Sequence, residues 1–376
     1  MQFTIRRDDL IHQLGRMAHV LPKRTTLPSL EFVRLEAGEN LRLHIRATNL
    51  DSHIEITCEA EAVGAPGIGL APGRLLLDAL RQCAGRLVRF RLMEGLDQRP
   101  PALVVEAGRT RYVLKSFSTD EYPEPPDAIL GGQARIEIAT LREAARRVLS
   151  AVSTEDSRPI LNAMLLRIEP GEVTCVGCSG HEMVELRAPT AYDGERDDLL
   201  VHPRAVRHIA QLHGQCGAIE VAWSESWVVT SSDRVRGTWR LIEGPYPDYR
   251  RVMRDREADV IVAQVRRGRL ASALSRALVT TDDYNDRTLV DVTERGLTLR
   301  TLTKGKGESE EHVPAAVSGG TIRIGANARK LLRRLQVLQT DDVRLGFVAE
   351  ERAITISDVP SNGMYQLLMP LRLLDD

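Results

Sequence analysis

One pattern stated three times, at intervals of about 130 residues, limits this chain more than any other feature of its sequence. Each copy opens with a short alternating strand that runs into a helix: FTIRRDDLIHQLGRMAHVL from Phe3, RIEIATLREAARRVLSAVS from Arg135 and VIVAQVRRGRLASALSRALV from Val260. Strands separated by turn chemistry follow, with EAGEN, EPGE and TERG at matching places. A second helix comes next, PGRLLLDALRQC from Pro72, HPRAVRHIAQLHG from His202 and ANARKLLRRLQVLQ from Ala326, and further strands close each copy. Self-similarity at this period means tandem domains of one fold, because solenoid repeats are far shorter. The expected domains are residues 1–131, 132–254 and 255–376.

The stretch GPYPDYRRV, Gly244 to Val252, stands between the second and third copies. Its prolines fix their own φ and push the preceding residue out of the helical region, so the segment is stiff and extended. It reads as an interdomain joint that sets Tyr246, Tyr249, Arg250 and Arg251 where planar side chains can line a groove.

A hydrophobic content of 43% with 27% charged residues describes a soluble globular chain. No run approaches the roughly 20 apolar residues of a membrane helix, and the opening MQFTIRRDDL carries no basic-then-apolar leader. A cytoplasmic protein without a membrane partner is expected. Five scattered cysteines argue against a disulfide framework. Cys175 and Cys178 form a C-x-x-C within GEVTCVGCS, which reads as a strand, so their side chains point to opposite faces and cannot chelate together. Neither a metal nor a cofactor is expected.

The net charge of -1 says little as a sum, but arginines gather on particular helices. In the third copy Leu331, Leu335 and Leu338 form the stripe to be buried, with Lys330, Arg333 and Arg334 on the other side. In the second, Ala205, Ile209 and Leu212 make the stripe, with Arg204, Arg207, His208 and Gln211 opposite. Arg142, Arg146, Arg266, Arg267 and Arg269 continue the pattern on the first helices. A charged face on one helix is ordinarily a solvated face. Its recurrence in tandem domains points to one basic surface, the footprint of contact with a nucleic-acid backbone. No recognition helix, zinc finger or RNA-binding aromatic motif accompanies it, so base reading is not indicated.

Enzyme motifs fail on inspection. KGKGES, Lys304 to Ser309, lacks the leading glycine and the Ser or Thr after the lysine of a phosphate loop. His181-Glu182 opens an H-E-x-x-E in which Glu185 stands where a zinc protease needs its second histidine. Asp282, Asp283 and Asp286 read as a helix-ending loop.

The threefold repeat, TLPSL from Thr26, SGH at Ser179 to His181, YPDYRRV from Tyr246 and the terminal YQLLMPLRL together resemble the bacterial sliding clamps, the beta subunits of DNA polymerase III, over essentially the whole chain. The resemblance implies an α+β fold of three tandem copies of the DNA clamp fold. Each copy has two helices inside and antiparallel sheets outside, and two protomers close head to tail into a homodimer ring around double-stranded DNA. It implies a non-catalytic processivity factor that tethers the DNA polymerase III alpha subunit, the clamp loader and other proteins carrying a clamp-binding peptide. Arg24 matches a DNA-contacting arginine of the family; Arg74, Arg81, Arg142, Arg158, Arg204, Arg207, Lys330 and Arg333 are further DNA-binding candidates.

Carried over by motif, the partner-peptide pocket comprises Leu161, Cys178, Gly180, His181, Met183, Pro247, Arg251, Val252, Leu367, Met369, Pro370, Leu371 and Arg372. For the dimer interface, Arg109, Arg111, Tyr112 and Leu114 match one side, and Leu278, Val279, Glu308, Glu310 and Glu311 the other. Family members commonly have Asp-Gly-His-Arg where this chain has Ser179-Gly180-His181-Glu182, and the sequence extends past the usual end through Asp375 and Asp376. A glutamate beside the pocket is expected to alter partner choice, as in a divergent accessory clamp. A monomeric DNA-binding scaffold is the other alternative.

Overall fold

The computed structural model describes residues 1–93, 95, 100–126, 131–155, 157–214, 216–253 and 260–373. It divides into two compact units, Met1–Arg142 with Arg204–Leu241, and Glu143–Pro203 with Ile242–Asp376. Each unit therefore takes part of the middle repeat.

The first unit holds two antiparallel sheets. The smaller runs β5 (Ala62–Ala65), β1 (Gln2–Arg6), β7 (Leu87–Met93), β8 (Ala102–Ala107), β9 (Thr110–Lys115). The larger runs β10 (Gly132–Glu137), β15 (Ala218–Trp223), β16 (Trp227–Ser232), β17 (Val235–Arg240), β4 (Ser52–Glu59), β3 (Arg42–Thr48), β2 (Phe32–Ala37), β6 (Gly67–Pro72). Helices α1 (Arg7–Met17), α2 (Gly73–Gln82) and α4 (Pro203–Leu212) belong here, apart from Pro203, and α3 (Ile138–Arg147) spans the division. Alternation in β1 buries Phe3 and Ile5, and Phe3 stacks on Phe90 at 4.7 Å. Leu10, Leu14 and Met17, one helical turn apart, carry the core along α1.

The second unit is built alike. Its larger sheet runs β14 (Asp197–Val201), β11 (Met164–Glu169), β12 (Glu172–Cys178), β13 (Glu182–Pro189), β26 (Met364–Leu368), β25 (Ile354–Val359), β24 (Asp342–Phe347), β18 (Ile261–Arg266), β22 (Ala315–Ser318). The smaller runs β21 (Gly307–Val313), β20 (Gly296–Thr303), β19 (Arg287–Thr293), β23 (Ile322–Asn327), and the remaining helices are α5 (Arg250–Met253), α6 (Arg267–Ala277) and α7 (Ala328–Gln336).

Repeats are joined by strand edges. In the first unit β17 of the middle repeat pairs with β4 of the first, with Arg236 opposite Glu55. In the second unit β26 of the last repeat pairs with β13 of the middle one, with Tyr365 opposite Glu185. Each seam turns two sheet edges into one continuous ladder and satisfies backbone groups that would otherwise face solvent.

The structure also refines several expectations. The expected alternation separates Cys175, fully buried with its thiol pushed up to about 12 by burial, from half-buried Cys178 on the other face. The KGKGES stretch is the turn between β20 and β21 followed by the first three residues of β21, with Lys306 N–H bonded to the Thr303 carbonyl. Asp282 accepts from the backbone N–H groups of Tyr284, Asn285 and Arg287, as an acid in a helix-ending loop does. Two helix faces differ from expectation. Leu331, Leu335 and Leu338 are buried as read, but Arg334 is buried with them, and His208 turns inward so that its Nε2 lies 3.0 Å from the Arg16 carbonyl.

His213, just after α4, is buried between Ser232 Oγ at 3.0 Å and Thr230 Oγ1 at 2.9 Å. Burial, with a smaller push from Arg16 and His208, lowers its pKa to about 4. The folded chain keeps this ring neutral while the unfolded chain protonates it near pH 6.5. Its contribution to stability is therefore full above about pH 6.5 and is lost as pH falls towards about 4, by at most about 3 kcal/mol. Urea unfolding at both ends of that window should show His213→Gln losing less stability on acidification than the parent chain. An identical acid loss in both proteins would contradict this placement of the proton.

Candidate functional site

The β13–β26 seam sets Met183 directly opposite Leu367. Both are buried in one apolar cluster with Leu165, Val176, Leu200, Tyr249 and Met253, against which Cys178, Ile160, Ile242, Tyr246 and Tyr365 pack. The segment read from the prolines is extended only as far as Asp248, because α5 begins at Arg250, and it supplies two of the cluster's aromatic rings. Tyr246 and Tyr249 meet edge to face at 6.5 Å, and Tyr249 is locked by Arg167, whose Nη1 donates to its hydroxyl at 3.1 Å. Arg167 is itself held by both oxygens of Asp198, at 2.6 and 2.8 Å. At the head of the segment Gly244 has φ +120°, and a Cβ there would overlap Ile160 Cδ1, so glycine alone fits.

Other residues expected at the pocket are placed nearby by backbone bonds. Met369 N–H donates to the His181 carbonyl at 2.9 Å, and Leu371 bridges to Gly325 on β23, so the terminal MPLRL crosses from one sheet of the unit to the other. Leu161 is buried, with its N–H bonded to the Arg158 carbonyl. Gly180 takes φ +84° and gives its N–H to Cys178 Sγ. Met369 is 39% exposed, whereas Met183 and Leu367 are almost fully covered. His181, Pro247 and Arg372 are exposed, Pro370 and Leu371 half-buried, and Arg251 pairs with Asp248 at 3.1 Å. The side chain of Val252 and residues Asp375 and Asp376 lie outside the described residues. Tyr246, Tyr249 and Tyr365 were absent from the carried-over set. The aromatic spacing of YPDY was the available signal for the first two.

Glu182 has a role that the sequence did not disclose. Its side chain is 4% exposed and lies 3.0 Å from Nε of Arg334, whose side chain is fully buried, and 3.8 Å from Nη1 of Arg333. Arg334 also donates to the Ser150 hydroxyl and carbonyl, at 2.9 and 3.2 Å, and burial lowers its pKa against the opposing pull of Glu182. The expectation that this glutamate presents a reversed charge beside the pocket is thus corrected. The carboxylate is neutralised inside the fold and ties β13 to α7.

The cationic candidates separate by what already holds them. Arg24, Arg81, Arg142, Arg158, Arg204, Arg207 and Arg333 are exposed, and Lys330 is half-buried. Arg142 donates to the Gly214 carbonyl, and Arg81 lies 3.4 Å from Asp78. Arg74 is the most committed, donating to the carbonyls of Leu21 and Ala18 at 2.6 and 2.9 Å. Such bonds fix a stem near a helix but leave the positive field in place.

Two further strands stand at sheet edges. β9 ends its five-stranded sheet, with Arg109 and Arg111 exposed, Tyr112 half-buried and Leu114 buried. β21 ends its four-stranded sheet, with Glu308 and Glu310 exposed and Glu311 half-buried. Glu310 is paired with Arg300 and Glu311 with Arg276, each at 2.7 Å, while Val279 beside this edge is 76% exposed and Leu278 is half-buried.

Models of the DNA polymerase III beta subunit match the chain in three consecutive blocks: the N-terminal domain over residues 1–126, the central domain over 135–248 and the C-terminal domain over 255–372. A beta sliding clamp from Pseudomonas aeruginosa is 26% identical over 379 residues, covering 99% of this chain and 100% of that one. The crystal structure of the DNA polymerase III subunit beta from the same organism superposes with a TM-score of 0.92 at 25% identity, covering 99% and 100% of the two chains. The sliding clamp of Bacillus subtilis shares the fold, with a TM-score of 0.89 at 20% identity, covering 100% of both chains.

Removing one member of a buried ion pair strands the other, at a cost of about 3 to 5 kcal/mol. Glu182→Ala should therefore destabilise the chain by about that amount in urea unfolding, and Glu182→Arg by at least as much. A loss below about 1 kcal/mol would show that Arg334 is satisfied without Glu182.

Proposed function

Because the chain belongs to the DNA polymerase III beta-subunit family, the bacterial sliding clamps, it is a non-catalytic DNA processivity clamp of α+β clamp fold, and we propose that two copies close head to tail around duplex DNA in the cytoplasm. The domains are taken as residues 1–131, 132–254 and 255–376. Arg24, Arg81, Arg142, Arg158, Arg204, Arg207, Lys330 and Arg333, with Arg74 as a supporting cation, contact the phosphate backbone. Such contacts give affinity without sequence preference, which is what sliding requires.

The observation that carries the ring is the rule by which repeats join. β4 of the first repeat accepts β17 of the second, and β13 of the second accepts β26 of the third. The equivalent strands left over are β9 of the first repeat and β21 of the third, both at sheet edges. Glu55 pairs with Arg46 and Glu310 with Arg300 in matching cross-strand positions, which sets β21 in line with β4. Transferring the first seam, where Arg236 faces Glu55, puts Arg111 of one copy opposite Glu310 of the other. A basic edge then meets an acidic one. The contact is heterologous, and two such contacts close a ring. Arg109, Tyr112, Leu114, Leu278, Val279, Glu308 and Glu311 complete this interface.

The pocket around Met183, Leu367, Cys178 and Tyr246 takes a short peptide with apolar anchors from the polymerase alpha subunit, the clamp loader and other partners. Leu161, Gly180, His181, Pro247, Arg251, Met369, Pro370, Leu371 and Arg372 form its walls and rim. Apolar walls with a few fixed polar groups suit such an anchor.

A topological clamp is held by closure, not by affinity. Loaded onto circular duplex, the protein should stay bound through high-salt gel filtration and be lost once the circle is cut. Equal retention on circular and linear DNA would contradict encirclement.

A further inference from the structure

The first helices of the three repeats carry an arginine at one shared place: Arg16, Arg147 and Arg276 are each the tenth residue of α1, α3 and α6. Two of them reach into the following repeat. Arg16 donates through Nη2 to the carbonyl of Leu212, the last residue of α4. Arg147, 2% exposed, pairs through Nε with Glu143 and sets Nη1 at 3.6 Å from Met364 Sδ on β26. Beside it Gln339, just past α7, donates to Glu143 at 3.5 Å. In both seams the end of a first helix meets the end of the next repeat's second helix.

Arg276 has the same position in the third repeat. Its side chain is 60% exposed and rests on Glu311, with Nε and Nη2 at 2.8 and 2.7 Å from the two carboxylate oxygens. The clefts around these arginines differ in the same way. A cleft of about 690 Å³ at α1 has His12 and Arg16 on one wall and residues of the middle repeat, from Gln211 to Gly214 among them, on the other. The cleft at α6, about 450 Å³, has Ser272 and Arg276 at the matching helix positions, but among the described residues its remaining wall is only the end of its own strand, His312 to Pro314.

We infer that Arg276 is a seam residue of the closed ring. It donates to the carbonyl of Gln82, the last residue of α2 in the second copy, as Arg16 donates to the last residue of α4. The inference deepens the head-to-tail reading and rests on it. Carbonyl groups at a helix C-terminus lack intrahelical partners, and Gln82 ends an exposed turn of α2. Releasing or sharing the Glu311 pair costs little, because solvent screens the exposed Arg276 guanidinium.

The test compares the parent chain with Arg276→Ala by sedimentation, at low salt and at about 1 M salt, where the screening length is about 3 Å. A hydrogen bond from a charged donor to a neutral carbonyl is largely insensitive to salt, so the variant should dimerise about tenfold more weakly at both. Thermal unfolding of the dilute monomer should be unchanged, which separates a seam role from a structural one. An unaltered dimer affinity overturns the inference, and so does a defect that vanishes at high salt, since that marks an ion pair with an acid. A parent chain that stays monomeric at every concentration overturns the ring itself.

Discussion

A strand at the end of an antiparallel sheet exposes a row of N–H and C=O groups, and a folded chain must cover, blunt or pair that row. This chain pairs two such rows internally, β17 with β4 and β13 with β26, and the placement of its functional residues follows from those pairings. The second seam brings Met183 and Leu367, from different repeats, onto one face of one sheet. A slip of one residue there would turn one of the two side chains to the opposite face and dismantle the apolar cluster.

Electrostatics then decides which charges are available to partners. Glu182, Arg334 and Arg147 are charged residues that the fold keeps for itself, burying them near the seam between middle and last repeats. Burial of ionised groups is tolerated because each meets an opposite charge or a hydroxyl, and breaking one contact strands the rest. Arg24, Arg158 and Arg207 project instead into solvent, where long-range attraction to a polyanion does not require fixed geometry.

The repeats were legible because each strand-helix unit writes its own periodicity: Phe3 and Ile5, then Leu10, Leu14 and Met17, state in sequence what the core buries. The strand β8 shows no alternation in sequence, since its middle residues Leu103, Val104 and Val105 are all buried. Arg334 was read as outward-facing because helical periodicity marks the apolar stripe but cannot reveal a partner such as Glu182, distant in sequence and placed beside it only by folding. The apolar cluster was legible in part. Cys178, Met183 and Leu367, which the motif groups, pack in it, while Tyr249 is set by Arg167 and Asp198, whose pairing across β11 and β14 leaves no local pattern.

In the proposed ring β9 and β21, the edges left over by the joining rule, pair with one another across copies. Amide hydrogen exchange, followed while the protein is diluted through dimer dissociation, reads those backbone groups directly. Protection on Thr110–Lys115 and Gly307–Val313 should be high in the concentrated protein and fall together on dilution, while β4 and β13 keep theirs. Exchange at these two strands that is indifferent to concentration would contradict the claim.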